Sequence, residues 1–187
     1  MSSTLVDFEI IQRQEQDEII TPFNTTNVEP ASYDVTLGGE YYRSVNTGME
    51  PGSIDLATGE TQGVKGQHVT NRERMWLKPN EFILATTVET VHMPADLLAR
   101  LEGKSTLARQ GLIVHVTAGF IDPGFEGKIT LELKNISQHN LVLHQGMRIG
   151  QLVFEPLDHP AQHPYGSDKL NSHYQHQNTV TPARISA

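Results

Sequence analysis

The sequence has no cysteine. That removes a disulfide framework, fits a reducing compartment, and excludes any zinc site built on thiolates. No apolar run approaches the roughly 20 residues needed to span a bilayer, so no membrane partner is expected. The first residues lack a cationic stretch followed by an apolar one, so no signal peptide is expected and a cytoplasmic location is. Basic residues are scarce: fourteen Lys and Arg stand against twenty-two Asp and Glu, a formal charge of −8. A chain so balanced lacks the basic face that a general nucleic-acid coat needs, although a few local cations can still hold a triphosphate. Neither GxxxxGK[ST] nor HExxH occurs, so there is no P-loop and no helical zinc pair.

What is present is turn chemistry. Fifteen Gly and ten Pro in 187 residues point to a mainly β domain, and the length suits a single core. Leu5 to Ile20 reads as a short N-terminal helix with Leu5, Phe8, Ile11 and Ile10 near one face. Residues 30–38 alternate toward a strand that places Tyr33, Val35 and Leu37 together. Residues 46–72 have weak periodicity and predict a long loop holding at most one strand. Short β-like runs follow at Phe82–Val88, Leu97–Leu101, Leu112–Thr117, Lys128–Leu133, Asn140–Leu143 and Arg148–Phe154. Their lengths and punctuation suit a Greek-key barrel or jelly roll. The stretch from His159 to Ala187 is polar, with too few apolar residues for a core. It reads either as a disordered terminus or as a segment that orders over a ligand.

Residues 99–135 carry the chemistry. Lys104, Ser105, Thr106 and Arg109 offer charge-assisted and hydroxyl donors suited to phosphate oxygens, and one helical turn would bring Thr106 and Arg109 to one side. The same tetrad also occurs in solvated surface turns, the commoner case on composition alone. Glu132 lies in Ile129-Thr130-Leu131-Glu132-Leu133, where alternation groups it with Thr130. On a solvent face it would be ordinary; in a cleft between subunits it becomes a partly desolvated general base. Asp122 precedes Pro123-Gly124. Asp there usually starts a turn by bonding its own backbone, and the rival role is to position a water or a sugar hydroxyl. The nine histidines do not make a convincing metal site, since Pro160 and Pro164 interrupt the His159 and His163 pair and His173 and His176 lie in polar chain.

The run from Glu102 to Leu112, then His115 to Asn135, resembles the dCTP deaminase family, a branch of the trimeric dUTPase superfamily. The likeness continues at residues 30–38, 146–152 and 164–184, and is weakest over 46–72. It implies a distorted β-barrel or jelly roll of the trimeric dUTPase type: a barrel domain over 1–158, a tail over 159–187 that closes over the nucleotide, and a homotrimer with active sites shared between subunits. It implies that dCTP is deaminated without zinc, with Glu132 as the base, Arg109 holding the water, and Ser105 and Thr106 in support. Nucleotide contacts are implied at Lys104, Ser105, Thr106, Leu107, Ala108, Arg109, Ala118, Asp122, Thr130, Leu131, Glu132, Gln151, Tyr165, His173 and Gln177.

Family members either stop at dUTP or continue to dUMP and pyrophosphate. Gly119 and Phe120 resemble the second, bifunctional type, with Gly119 giving room for a water and Asp122 orienting or activating it. Magnesium would arrive on the triphosphate, and no protein metal site is expected. dTTP is a common inhibitor in the family. The chain departs from the family at His173, where Lys is usual, and at Asn178-Thr179-Val180. A neutral His carries no fixed charge, which weakens the tail's expected hold on phosphate. The alternatives are a deaminase that stops at dUTP, a plain dUTPase, a deaminase for a modified cytosine, and a non-catalytic nucleotide-binding trimer.

Overall fold

The computed structural model describes residues 4–185; residues 1–3 and 186–187, at the two ends of the expected barrel and tail segments, lie outside it. The chain opens with helix α1 (Asp7–Asp17), then β1 (Ile20–Thr21), β2 (Val28–Glu29) and the long β3 (Ser32–Asn46). Next come β4 (Ser53–Ile54), β5 (Thr61–Gln62), β6 (Val64–Val69), β7 (Arg74–Leu77), β8 (Phe82–His92) and β9 (Leu97–Gly103). A one-turn helix α2 (Ser105–Ala108) leads to β10 (Leu112–Ile113), β11 (Phe120–Ile121), β12 (Glu126–Asn135), β13 (Leu141–His144) and β14 (Arg148–Pro156).

The main sheet runs β10-β12-β8-β3-β14-β9-β11, with β1 on β8 and with β2 and β6 on β3. It curls into a half-barrel, so the expected mainly β architecture with one short N-terminal helix is the one observed. Strand β12 explains how the register is held. Gly127, Ile129, Leu131, Leu133 and Asn135 are buried, while Glu126, Lys128, Thr130, Glu132 and Lys134 alternate with them on the half-open face. A slip by one residue would expose three aliphatic side chains, each worth about 2 kcal/mol when buried, and would turn the five polar ones inward.

Several expectations are corrected. Helix α1 is shorter than Leu5 to Ile20 because Glu18 takes a left-handed φ of 49° that ends it. Its buried apolar contact is Ile10, while Phe8 is exposed, so the Leu5–Phe8–Ile11 spacing misjudged the face. Leu5 is buried too, but from outside the helix, where its N–H donates to Phe154 O. Residues 46–72 hold three strands: β4 and β5 form a hairpin, and β6 extends β3 from Tyr41↔Val69 to Asn46↔Val64. Asp55 builds that hairpin's turn by accepting the Ala57 and Thr58 N–H groups at 2.7 and 3.0 Å, and those bonds lower its pKa. Strand β7, between the expected runs, pairs with β13. The run Leu112–Thr117 is a strand only through Ile113, because the Val116 N–H is taken by a side chain rather than by a neighbouring strand.

Candidate active site

The curl of the sheet brings β11 and β12, which lie toward opposite ends of its strand order, to a common cleft of about 920 Å³. Ala118, Phe120, Asp122, Thr130, Glu132, Tyr165 and Gln177 all line it. Glu132 is half-buried and points from the half-open face of β12. Its Oε2 accepts the Val116 N–H at 2.8 Å. That bond fixes the carboxylate and leaves Oε1 without a hydrogen-bond partner among the described residues. An anchored carboxylate with one open oxygen is the geometry a general base needs.

Asp122 is equally uncommitted. Its backbone carbonyl accepts the Phe125 N–H at 3.1 Å and closes the turn, so the side chain is not consumed in building it. Partial burial in the cleft wall pushes its carboxyl above the usual carboxylate value. The turn itself needs Gly124, whose φ is 88° and where a Cβ would come within 2.6 Å of Pro164 Cβ and 2.9 Å of Tyr165 O. The space over Gly119 is bounded by the chain itself: a Cβ there would meet Leu101 O at 2.9 Å and the His115 ring at 3.0 Å. Packing alone therefore demands glycine at 119, whatever room it leaves for a water.

The cationic segment faces elsewhere. Gly103, Lys104, Ser105, Thr106 and Ala108 line a second pocket with Glu29, Pro30, Ser32 and Gln151. Gln151 is held by Ser32 Oγ at 3.2 Å and by Gly103 O at 3.4 Å. Both oxygens of the fully buried Asp34 lie 2.5 Å from Lys104 Nζ, and Arg148 approaches the same carboxylate at 3.4 Å. Lys104 is thus already paired. Arg109, exposed just after α2, makes no side-chain hydrogen bond or ion pair among the described residues and lines neither pocket. Leu107 and Leu131 turn their side chains into the core, so they can meet a ligand only through the backbone.

The polar tail lies against the barrel. Tyr165 packs edge-on against Phe125, and its hydroxyl accepts the Tyr174 N–H at 3.0 Å. Gln177 bridges to Gly127 of β12, and the Gln177 carbonyl accepts the Lys128 N–H. His173 does not line the cleft; its ring sits 6.1 Å from that of Tyr174.

A family model described as dCTP deaminase-like matches residues 4–157. The chain belongs to that family. Among curated relatives, the "dCTP deaminase, dUMP-forming" of Streptomyces coelicolor is 45% identical over 165 residues, covering 88% of this chain and 85% of the relative. The protein of the same name from Bifidobacterium adolescentis is 44% identical over 181 residues, covering 96% and 93%. The crystal structure of the 2'-deoxycytidine 5'-triphosphate deaminase from Agrobacterium tumefaciens superposes with a TM-score of 0.64 at 21% identity over 83% of this chain. This chain spans about half, 48%, of that longer one, and at such identity the likeness speaks for the fold.

Within this dCTP deaminase-like chain the cleft has walls that sequence reading missed. Tyr42 and Arg43 of β3, Phe82 and Leu84 of β8, Ile54 of β4 and Tyr174 of the tail all line it. Leu84 faces Glu132 directly across the β12–β8 ladder, a register that strand periodicity alone does not supply. The Ile54 contribution was not legible either, because the β4–β5 hairpin falls in the weakly periodic segment.

Proposed function

We propose that this chain deaminates dCTP and carries the product on to dUMP and pyrophosphate, at sites completed by a second copy in a homotrimer. The observation that supports it most is Glu132, tethered through one oxygen to the Val116 N–H and open at the other, in a cleft large enough for a nucleoside. A water at neutral pH is a poor nucleophile, so the carboxylate takes its proton as the oxygen adds to C4 of the cytosine ring. Glu132 returns that proton to ring N3. The C4–N bond then breaks as the remaining hydroxyl proton passes through Glu132 to the departing amine, giving ammonia and dUTP. Arg109, Ser105 and Thr106 hold the water and the developing charge from the neighbouring copy.

Hydrolysis of dUTP follows with a water attacking the α-phosphorus and pyrophosphate leaving. Asp122, uncommitted and beside the cleft, orients that water. Among the described residues no three His, Asp or Glu side chains converge at metal-binding distance. Magnesium would be held mainly by the triphosphate, where it would offset charge at phosphorus. The barrel domain is the segment 1–158 in this reading, and the tail over 159–187 closes over the nucleotide through Tyr165 and Gln177. Residues Ala118, Thr130 and Leu131 line the base end through backbone and hydroxyl groups, and Lys104, Leu107, Ala108, Gln151 and His173 belong to the phosphate end. dTTP, differing from dUTP by a methyl group, fits the same pocket as an inhibitor. No helix among the described residues is long and apolar enough to cross a membrane.

The test is Glu132→Gln. It should bind dCTP within a few-fold of the parent and release no ammonia, while the parent gives ammonia, dUMP and pyrophosphate in equal amounts. Near-normal ammonia release by the variant removes Glu132 from the reaction. Accumulation of dUTP by the parent removes the second step.

A further inference from the structure

A bulge in β3 meets the tail at a carboxylate that has no part in the chemistry above. Leu37 pairs with Thr87 of β8, but the next pair is Tyr41 with Ala85, so four steps along β3 are matched by two along β8. The surplus backbone at Gly38, Gly39 and Glu40 bulges. Gly38 permits this because a Cβ there would stand 2.9 Å from the Thr86 carbonyl oxygen. Bulges re-aim the side chains they carry. Here the Glu40 carboxylate meets three elements: His68 Nε2 of β6 at 3.1 Å, Thr86 Oγ1 of β8 at 3.5 Å, and the Val180 N–H of the tail at 3.0 Å. Its side chain is only 17% exposed, which strengthens a bond from a backbone N–H to an ionised acceptor.

The Val180 contact links this carboxylate to the cleft. Val180 is 4% exposed in an otherwise polar segment, so it is an anchor point. Three residues earlier, the Gln177 amide donates to Lys128 O at 2.6 Å and to Thr130 Oγ1 at 3.2 Å. Thr130 is the cross-strand partner of Thr86 and lies two residues from Glu132 on the same face. Glu40, Thr86 and Thr130 thus form a polar row across β3, β8 and β12, and the tail lies along it. Gln177 lines the cleft, and its buried Oε1 has no hydrogen-bond partner among the described residues.

We propose that Glu40 is a positioning residue. By accepting the Val180 N–H it pins the tail across this row and holds Gln177 as a wall of the cleft close to Glu132. This rests on the reading of the cleft as a dCTP site, but the docking itself does not, and the experiment separates the two.

Hydrogen exchange on the full chain without nucleotide reads the docking alone. Glu40→Ala should remove protection from the Val180 and Lys128 amides and leave the amides of Leu131 and Leu133 as in the parent. Unchanged protection at Val180 overturns the proposal, whatever the activity. Kinetics on dCTP then reads the consequence. Glu40→Ala and Val180→Pro, which deletes the donor together with the buried Val180 side chain, should each raise KM about tenfold with kcat changed less than about twofold. The double variant should be no worse than either single one, and Glu40→Gln, which keeps an acceptor oxygen, should recover most of the loss. Additive effects, or a loss confined to kcat, overturn the positioning role. If Glu40→Ala does not fold, Val180→Pro still decides. A parent protein that releases no ammonia from dCTP refutes the reading of the site and leaves the exchange result standing.

Discussion

Two buried carboxylates show how residue context sets a role. Asp34 is fully buried between Lys104 and Arg148 and has its charge matched. Glu89 is 3% exposed, and its oxygens take the Thr36 N–H and hydroxyl at 2.9 and 2.7 Å. Those neutral donors do not offset its desolvation, which raises its pKa. A folded-state value raised above the unfolded one means the stabilising contribution is fully present below the unfolded value and is lost as pH rises through the folded one. Glu89→Gln keeps an acceptor for the Thr36 N–H and offers its amide to the hydroxyl without carrying charge. It should be more stable than the parent at neutral and alkaline pH, by on the order of 1 kcal/mol, or ~3 °C in Tm at this length. The gain should shrink toward the acid side, where Glu89 is itself protonated; a Tm difference independent of pH would contradict the assignment. At this scale alternation placed Glu132 with Thr130 on one face of the strand, as observed, but the roles proposed for Glu132 and Asp122 came from the family resemblance and not from the local pattern. The pairing of Lys104 with Asp34 was not legible, since seventy residues separate them and only the sheet joins them.

At the scale of elements, the tail's place was open in the sequence because its apolar content is too low to build a core. It docks by backbone complementarity instead. Gly124 and Gly127 leave out the Cβ atoms that would strike Pro164, Tyr165 and Gln177, and the Tyr165 N–H donates to Pro123 O. Gly124→Ala should therefore cost about 1–3 kcal/mol, from both its positive φ and the close approach. It should also make the chain beyond residue 158 markedly more sensitive to limited proteolysis while β12 stays protected. Loss of stability with unchanged tail cleavage would place the cost in the turn alone. Strand periodicity located most of the sheet, since β8, β9, β12, β13 and β14 fall on the expected runs with ends moved by a few residues. It failed where hydrogen bonds rather than apolar alternation make the element. The β4–β5 hairpin rests on the Asp55 turn, and the segment after Ile113 is diverted from pairing by Glu132.

At the scale of the molecule, the arrangement of the two pockets carries the argument. Ser105 and Thr106 line one and Glu132 and Asp122 the other, and no residue lines both. In the proposed reading, a nucleoside triphosphate with Glu132 at its base would take Arg109 and the α2 hydroxyls from a neighbouring copy of a closed cyclic trimer. This gives a test that no single-chain arrangement passes. Glu132→Gln and Arg109→Ala proteins should each be inactive alone. Co-expressed in equal amounts, they assemble sites at random, and a site is whole when an Arg109-bearing copy meets a Glu132-bearing neighbour. About one quarter of the sites meet that condition, so ammonia release from dCTP should recover to about one quarter of the parent's rate. Mixing the purified proteins without subunit exchange should recover none. If both residues served a site within one chain, the co-expressed pair would stay inactive, because no chain would carry both.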